Sequence, residues 1–295
     1  MVKYSINITA QIEIEETPPP EPPFEMPDQL KGFSGTPEDD AGMDLIIENL
    51  LEYEGNCYRI CFTPSWTAGT RPWDATQVDY LLTNWALDND GFIIVDRNHH
   101  LADTVPLTNP PADNSWDVTG VRAGLQDVLD EWGITSATST ADEERYRHVL
   151  VELINEFVWD AGGNVYDHCE PEVDDIRANG YTNLLVLNQH TSDNEWTTIG
   201  CDYYGKHFYM NNYTEAQFQG HMTNALNADC IPIVNTEMGA EADEPPFTEA
   251  HVTELEADQA WLSARNYGYC IWMNKDMDNL TLGNGYDDRG WAGLI

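Results

Sequence analysis

The sequence predicts an α/β protein built as one (β/α)8 barrel. Eight short apolar runs alternate with stretches of helical periodicity, the pattern of parallel βαβ units. Polar and aromatic residues gather where those runs end, the edge at which a barrel collects its working side chains. The glycine-rich phosphate fingerprint of a doubly wound open sheet is absent. A length of 295 residues suits one such barrel. Residues 1–28 read as an N-terminal strand followed by a proline-rich strap, and residues 29–295 as the barrel.

The first segment alternates at Tyr4, Ile6 and Ile8, then reaches the stiff run TPPPEPP at 17–23. A weak first strand covers Lys31–Gly35, and Met43, Ile46, Ile47, Leu50 and Leu51 recur at helical spacing. Cys57–Thr63 is the second strand, followed by a helix from Asp74 to Leu87 with Asp74 as its N-cap. Gly91–Asp96 is the third. Helical patterning at Val118–Trp132 and Ala141–Arg147 leads to the fourth strand, His148–Ile154. Asn183–Asn188 and Lys206–Met210 are the fifth and sixth. A helix over Thr214–Leu226 precedes the seventh strand, Ile231–Asn235. A helix over Thr248–Arg265 precedes the eighth, Gly268–Trp272.

Composition narrows the partners. With 52 acidic residues against 13 basic, the net charge is −39, and nucleic acid and anionic membrane surfaces find no positive footprint. Such a charge repels itself at ordinary salt, whereas at 1 M the Debye length falls to about 3 Å and the repulsion is screened. The reading is adaptation to a salty milieu; a calcium-loaded surface and an acidic partner-binding face compete with it. Six cysteines show no close-spaced metal motif, and a single disulfide of unread connectivity is compatible with them. His168 and Cys169 as zinc ligands are outweighed by an ordinary loop or helix pair. No apolar run approaches the about 20 residues that span a bilayer, and strand-like alternation rather than a signal peptide follows Met1.

Two glutamates then stand out. Glu156 closes the run VLVELINEF at 149–157, and Glu237 follows the run starting at Ile231. If both strands belong to one parallel barrel, their carboxyls share a cleft, which is the minimum equipment for cutting a glycosidic bond. Arg59 lies on strand two, Asp96 with His99 and His100 after strand three, and Asn155 beside Glu156. Tyr213 follows strand six, Met238 and Gly239 follow Glu237, and Trp272 ends strand eight.

In this order the residues resemble glycoside hydrolase family 5, of the clan of retaining (β/α)8 glycosidases, over roughly residues 30–280. The resemblance implies Glu156 as general acid/base and Glu237 as nucleophile. Arg59, His99, His100, Asn155, Tyr213 and Trp272 are implied as sugar-site residues. Arg59 and Tyr213 would also serve the ionised nucleophile, Asn155 would hold the sugar 2-hydroxyl, and Trp272 would stack beneath a ring. The family's His-x-Tyr after strand six is met either at Asn211–Tyr213, where the His is replaced, or at His207–Tyr209. The register after strand three stays open among Asn98, His99 and His100. Trp66, Trp73, Trp116, Trp159 and Trp196 are candidate platforms along a groove, each weighed against ordinary packing.

The expectation is a monomeric, secreted, retaining endo-β-1,4-glycanase, cellulase- or mannanase-like, whose partner is a β-linked polysaccharide and whose chemistry needs no cofactor. An exo-acting β-glycosidase and a non-catalytic glycan-binding barrel are its rivals. A metal-dependent hydrolase using Asp96, His99 and His100 is a third.

Overall fold

The computed structural model describes residues 27, 29–35, 40–62, 74–96, 145–153, 165–178, 184–189, 196–209, 214–230, 232–239 and 249–272. The strands are β1 (Lys31–Gly35), β2 (Cys57–Cys61), β3 (Phe92–Asp96), β4 (Val149–Glu152), β5 (Leu184–Gln189), β6 (Tyr203–Tyr209), β7 (Ile233–Gly239) and β8 (Gly268–Trp272). They pair in chain order, and β1 pairs with β8, which closes the barrel. Every pairing is parallel. This is the (β/α)8 architecture the alternation implies.

Among the described residues the helices are α1 (Asp40–Glu52), α2 (Ala75–Asn84), α3 (Val165–Ala178), α4 (Glu215–Asn227) and α5 (Glu249–Ser263), with a 3-10 turn at Ala86–Asp88. Helix α2 starts where Asp74 accepts the Thr76 amide at 2.9 Å, the expected N-cap. Helix α4 opens with a capping box: the Thr214 hydroxyl takes the Gln217 amide, and the Gln217 side chain takes the Thr214 amide. Among the described residues, no helix is long and apolar enough to cross a membrane.

Strand side chains alternate between two apolar layers. Phe33, Tyr58, Ile60, Ile93, Val95, Val149, Val151, Tyr204 and Ile271 face the helices, where they pack with Met43, Ile46, Leu50, Val78, Leu81 and Trp85. Cys57, Phe92, Ile94, Leu150, Tyr203, Val234 and Cys270 form a separate inner cluster. That split is the period-2 rule applied to a sheet covered on both faces. At the seam, Gly32 registers with both Cys57 and Cys270. A Cβ at Gly32 would sit 1.6 Å from the Cys57 carbonyl oxygen, so only glycine permits this approach.

Strand β7 departs from simple alternation. Val234 registers with Gly205 and Asn235 with Lys206, but His207 registers with Glu237, which leaves Thr236 as an extra residue. The β7–β8 pairing shifts over the same stretch, between Asn235 and Met238. Val234 belongs to the inner cluster and Met238 to the outer one. Unbroken alternation from Val234 would send Glu237 outward; the bulge at Thr236 turns it into the barrel.

Several boundaries differ from the sequence expectation. Strand β6 begins at Tyr203 rather than Lys206, because Tyr203 fills the inner layer and Tyr204 the outer one. Strand β7 runs on to Gly239 instead of stopping at Asn235, carried by the bulge. The expected helical patterning at Val118–Trp132 and nearly all of the N-terminal strand and strap lie outside the described residues.

Candidate active site

Arg59 is the centre of a buried polar cluster inside the barrel. Strand β2 is CYRIC, and its alternation sends Cys57, Arg59 and Cys61 inward while Tyr58 and Ile60 pack against helices. The Arg59 side chain has no solvent exposure. A guanidinium carries five N–H donors and no acceptor, so all five need partners at such a position.

Each finds one. Nε donates to Glu152 Oε2 at 2.6 Å, and Nη2 donates to Glu152 Oε1 at 2.7 Å and to Asp96 Oδ2 at 2.9 Å. Nη1 donates to Glu237 Oε1 at 2.5 Å, with Ser34 Oγ at 3.1 Å and Cys61 Sγ at 3.2 Å sharing its remaining hydrogen. Glu237 also has His207 Nδ1 3.4 Å from its Oε2. Strands β1, β2, β3, β4, β6 and β7 all contribute, through residues at or near the C-terminal ends where barrel chemistry is built.

Electrostatics follow from burial. Desolvation by itself would lower the Arg59 pKa, but neighbouring Cys61, Glu152, Asp96 and Glu237 outweigh it, and the guanidinium ends well above its usual value. Burial pushes the Cys61 thiol well above the ordinary range; Arg59 opposes that shift, and the carboxylates of Asp96, Glu237 and Glu152 add to it. In the cluster Cys61 Sγ serves as an acceptor for Arg59 Nη1.

The residues singled out from sequence fare differently. Arg59 and Glu237 meet. Glu156, Asn155, His99, His100 and Tyr213 lie outside the described residues, as do Trp66, Trp73, Trp116 and Trp159. Trp272 ends β8, with its backbone in the sheet and its side chain outside what is described. Arg59, expected both among the sugar-site residues and beside the nucleophile, has its donors on protein acceptors, Glu237 among them. Trp196, a candidate platform weighed against ordinary packing, is 8% exposed in the outer core, with the Lys206 ammonium 5.5 Å over its ring.

Of the two His-x-Tyr alternatives, His207 stands beside Glu237, in register with it across β6 and β7, and Asn211–Tyr213 lies outside the described residues. Asp96, a ligand in the metal reading, has its Oδ2 committed to Arg59. Among the described residues no group of three or more His, Cys, Asp or Glu side chains is arranged to hold a metal ion. Sequence reasoning passed over Glu152 and Ser34. The available signal for Glu152 was a carboxylate inside an apolar strand, which demands a buried cation.

No family model and no curated protein matches this chain. Solved structures do. A β-mannanase from Thermomonospora fusca is 14% identical with a TM-score of 0.58, over 90% of this chain and 91% of that one. A β-mannanase from Streptomyces thermolilacinus is 13% identical with a TM-score of 0.59, covering 88% and 82%. A halotolerant GH5 cellulase from an Icelandic hot spring isolate is 17% identical with a TM-score of 0.54, covering 84% and 76%. At these identities the likeness is one of fold: this chain shares the (β/α)8 barrel of family 5 cellulases and mannanases.

Proposed function

We propose that the protein is a retaining endo-β-1,4-glycanase of the family 5 type, acting on a cellulose- or mannan-like polysaccharide. The observation that carries this reading is the contact between Arg59 and Glu237. It sets a carboxylate that follows a bulge at the end of β7 against a fully buried cation inside a barrel of the cellulase and mannanase fold.

In the proposed reaction Glu237 attacks the anomeric carbon while Glu156 protonates the leaving oxygen, which gives a glycosyl-enzyme ester. Glu156, now a carboxylate, then takes a proton from water as the water attacks the same carbon from the other face; the ester bond breaks, Glu237 leaves as its carboxylate, and the configuration is retained. Arg59 holds Oε1 of Glu237 and supplies the neighbouring positive charge. His207 stands at Oε2. A carboxylate held on one side by a guanidinium keeps its attacking lone pair aimed, a matter of pre-organisation rather than of added chemistry. Asn155, His99, His100, Tyr213 and Trp272 belong to the proposed sugar contacts. The same reading makes the enzyme a secreted monomer of a saline milieu, which the charge of −39 supports.

The test is hydrolysis of carboxymethyl cellulose, barley glucan and glucomannan in about 2–4 M KCl, where charge repulsion is screened. Proton NMR would follow the first-formed anomer. Internal cleavage with a β-anomeric product is expected. Release of single sugars from chain ends would point to the exo-acting reading, and binding without turnover on any β-glycan would point to a glycan-binding barrel. An α-anomeric product would exclude the double displacement.

A further inference from the structure

We propose that Glu152 is a positioning residue: its two oxygens fix the plane of Arg59, so that Nη1 is aimed across the barrel at Glu237. The inference rests on the reading of Glu237 as nucleophile and adds a residue that reading does not contain. Glu152 ends β4, in phase with inward Leu150, and its side chain has no solvent exposure. It meets the Nε and Nη2 edge of Arg59 at 2.6 and 2.7 Å, a two-pronged contact in which both oxygens face the guanidinium.

That contact has a geometric consequence. The guanidinium is rigid and planar, so gripping one edge settles the direction of the nitrogen outside it. Nη1 is that nitrogen, and it is the one donating to Glu237. Asp96 touches a single nitrogen and allows the plane to rock about that contact. Ser34 and Cys61 lie on Nη1 itself at 3.1 and 3.2 Å, longer contacts to weaker acceptors. Glu152 alone among the described acceptors grips two nitrogens. With both oxygens turned to Arg59 and no exposure, it is not placed to exchange a proton with a substrate.

Two variants test this. Glu152→Gln keeps the shape but turns one prong into a donor facing Nη2. Glu152→Asp keeps the charge, which favours folding, but shortens the reach and breaks the grip. For both, kcat should fall about 10- to 100-fold while KM stays within about threefold, because aim is lost and sugar contacts are not. The loss should be similar on polysaccharide and on aryl glycosides with good leaving groups, since it falls on the attack. Arginine-selective 15N NMR should show the Arg59 η protons separately in the wild type and averaged by rotation in both variants.

A lowered melting temperature with unchanged kcat per folded molecule would overturn the proposal. So would η protons that stay resolved in both variants. If the wild type hydrolyses no β-glycan, the nucleophile reading fails, and the NMR arm still decides whether Glu152 sets the plane of Arg59.

Discussion

Arg59 and Glu237, 178 residues apart in the chain, meet at 2.5 Å inside the barrel, and neither is appreciably exposed. Strand β2 carries the cation and β7 the carboxylate. No local feature of either strand encodes the other. Their meeting follows from barrel closure and from the bulge that turns Glu237 inward.

The ion cluster ties stability to function. Arg59→Met leaves three carboxylates around an apolar side chain. Breaking a buried pair by removing one partner costs about 3–5 kcal/mol, so this variant should unfold at markedly lower denaturant and lose turnover. Arg59→Lys should recover part of the stability but not the activity, because an ammonium cannot grip Glu152 and Glu237 together. Urea melts paired with initial rates check both; a fully active Arg59→Lys would contradict the geometry.

The two proposed carboxyl roles separate chemically. Glu237→Ala should abolish turnover, with azide restoring a product of inverted configuration, since the anion fits the space of the missing nucleophile. Glu156→Ala should spare aryl glycosides with good leaving groups far more than polysaccharides, because such groups need little protonation. Product NMR with azide in the assay checks the assignment, and the reverse pattern would exchange the two residues.

Salt should raise stability. At a charge of −39 the chain repels itself at low ionic strength, and above about 1 M that repulsion is largely screened. Thermal melts at 0.1, 1 and 3 M KCl should show a midpoint rising steeply with salt. A midpoint that is flat or falling would remove the saline reading.

Alkali should unfold the protein through protons it holds in the native state. Burial pushes Tyr204 up to about 12 and Cys230 up to about 11 from their ordinary values of 10.0 and 9.0. Folded pKa values above unfolded ones mean that the native state binds more protons in this window. The stabilisation is therefore complete below about pH 9 and is lost as pH rises toward 12. Tyr204→Phe should flatten the upper part of that slope. It should also cost about 0.5–1.5 kcal/mol at neutral pH through the lost bond from the Ile199 amide, 2.9 Å away. Denaturant midpoints from pH 7 to 12 check the sign.

Gly32→Ala tests the barrel seam. The added methyl meets backbone, not a movable side chain. Overpacking of this kind costs about 1–3 kcal/mol or more. A variant that melts like the wild type would mean that β1 and β2 are not paired as described.

Helix α3 shows where local pattern misleads. Its sequence, VYDHCEPEVDDIRA, carries a proline, which local propensity disfavours inside a helix. Pro171 nevertheless sits inside the helix, where tertiary packing of Cys169 and Val173 against the outer core outweighs the lost backbone donor.

The amino-acid order by itself determined the eight-fold alternation, because burial on both faces demands continuous apolar strands and helical stripes to cover them, and each is a short-range pattern. It also singled out Arg59 on strand two and Glu237 after strand seven as candidate site residues. Tertiary structure alone decided that Thr236 bulges out of register, that His207 stands beside Glu237, and that Glu152 and Asp96 converge on one guanidinium. Those facts depend on register between strands distant in the chain, and a one-residue slip reverses every side chain's face.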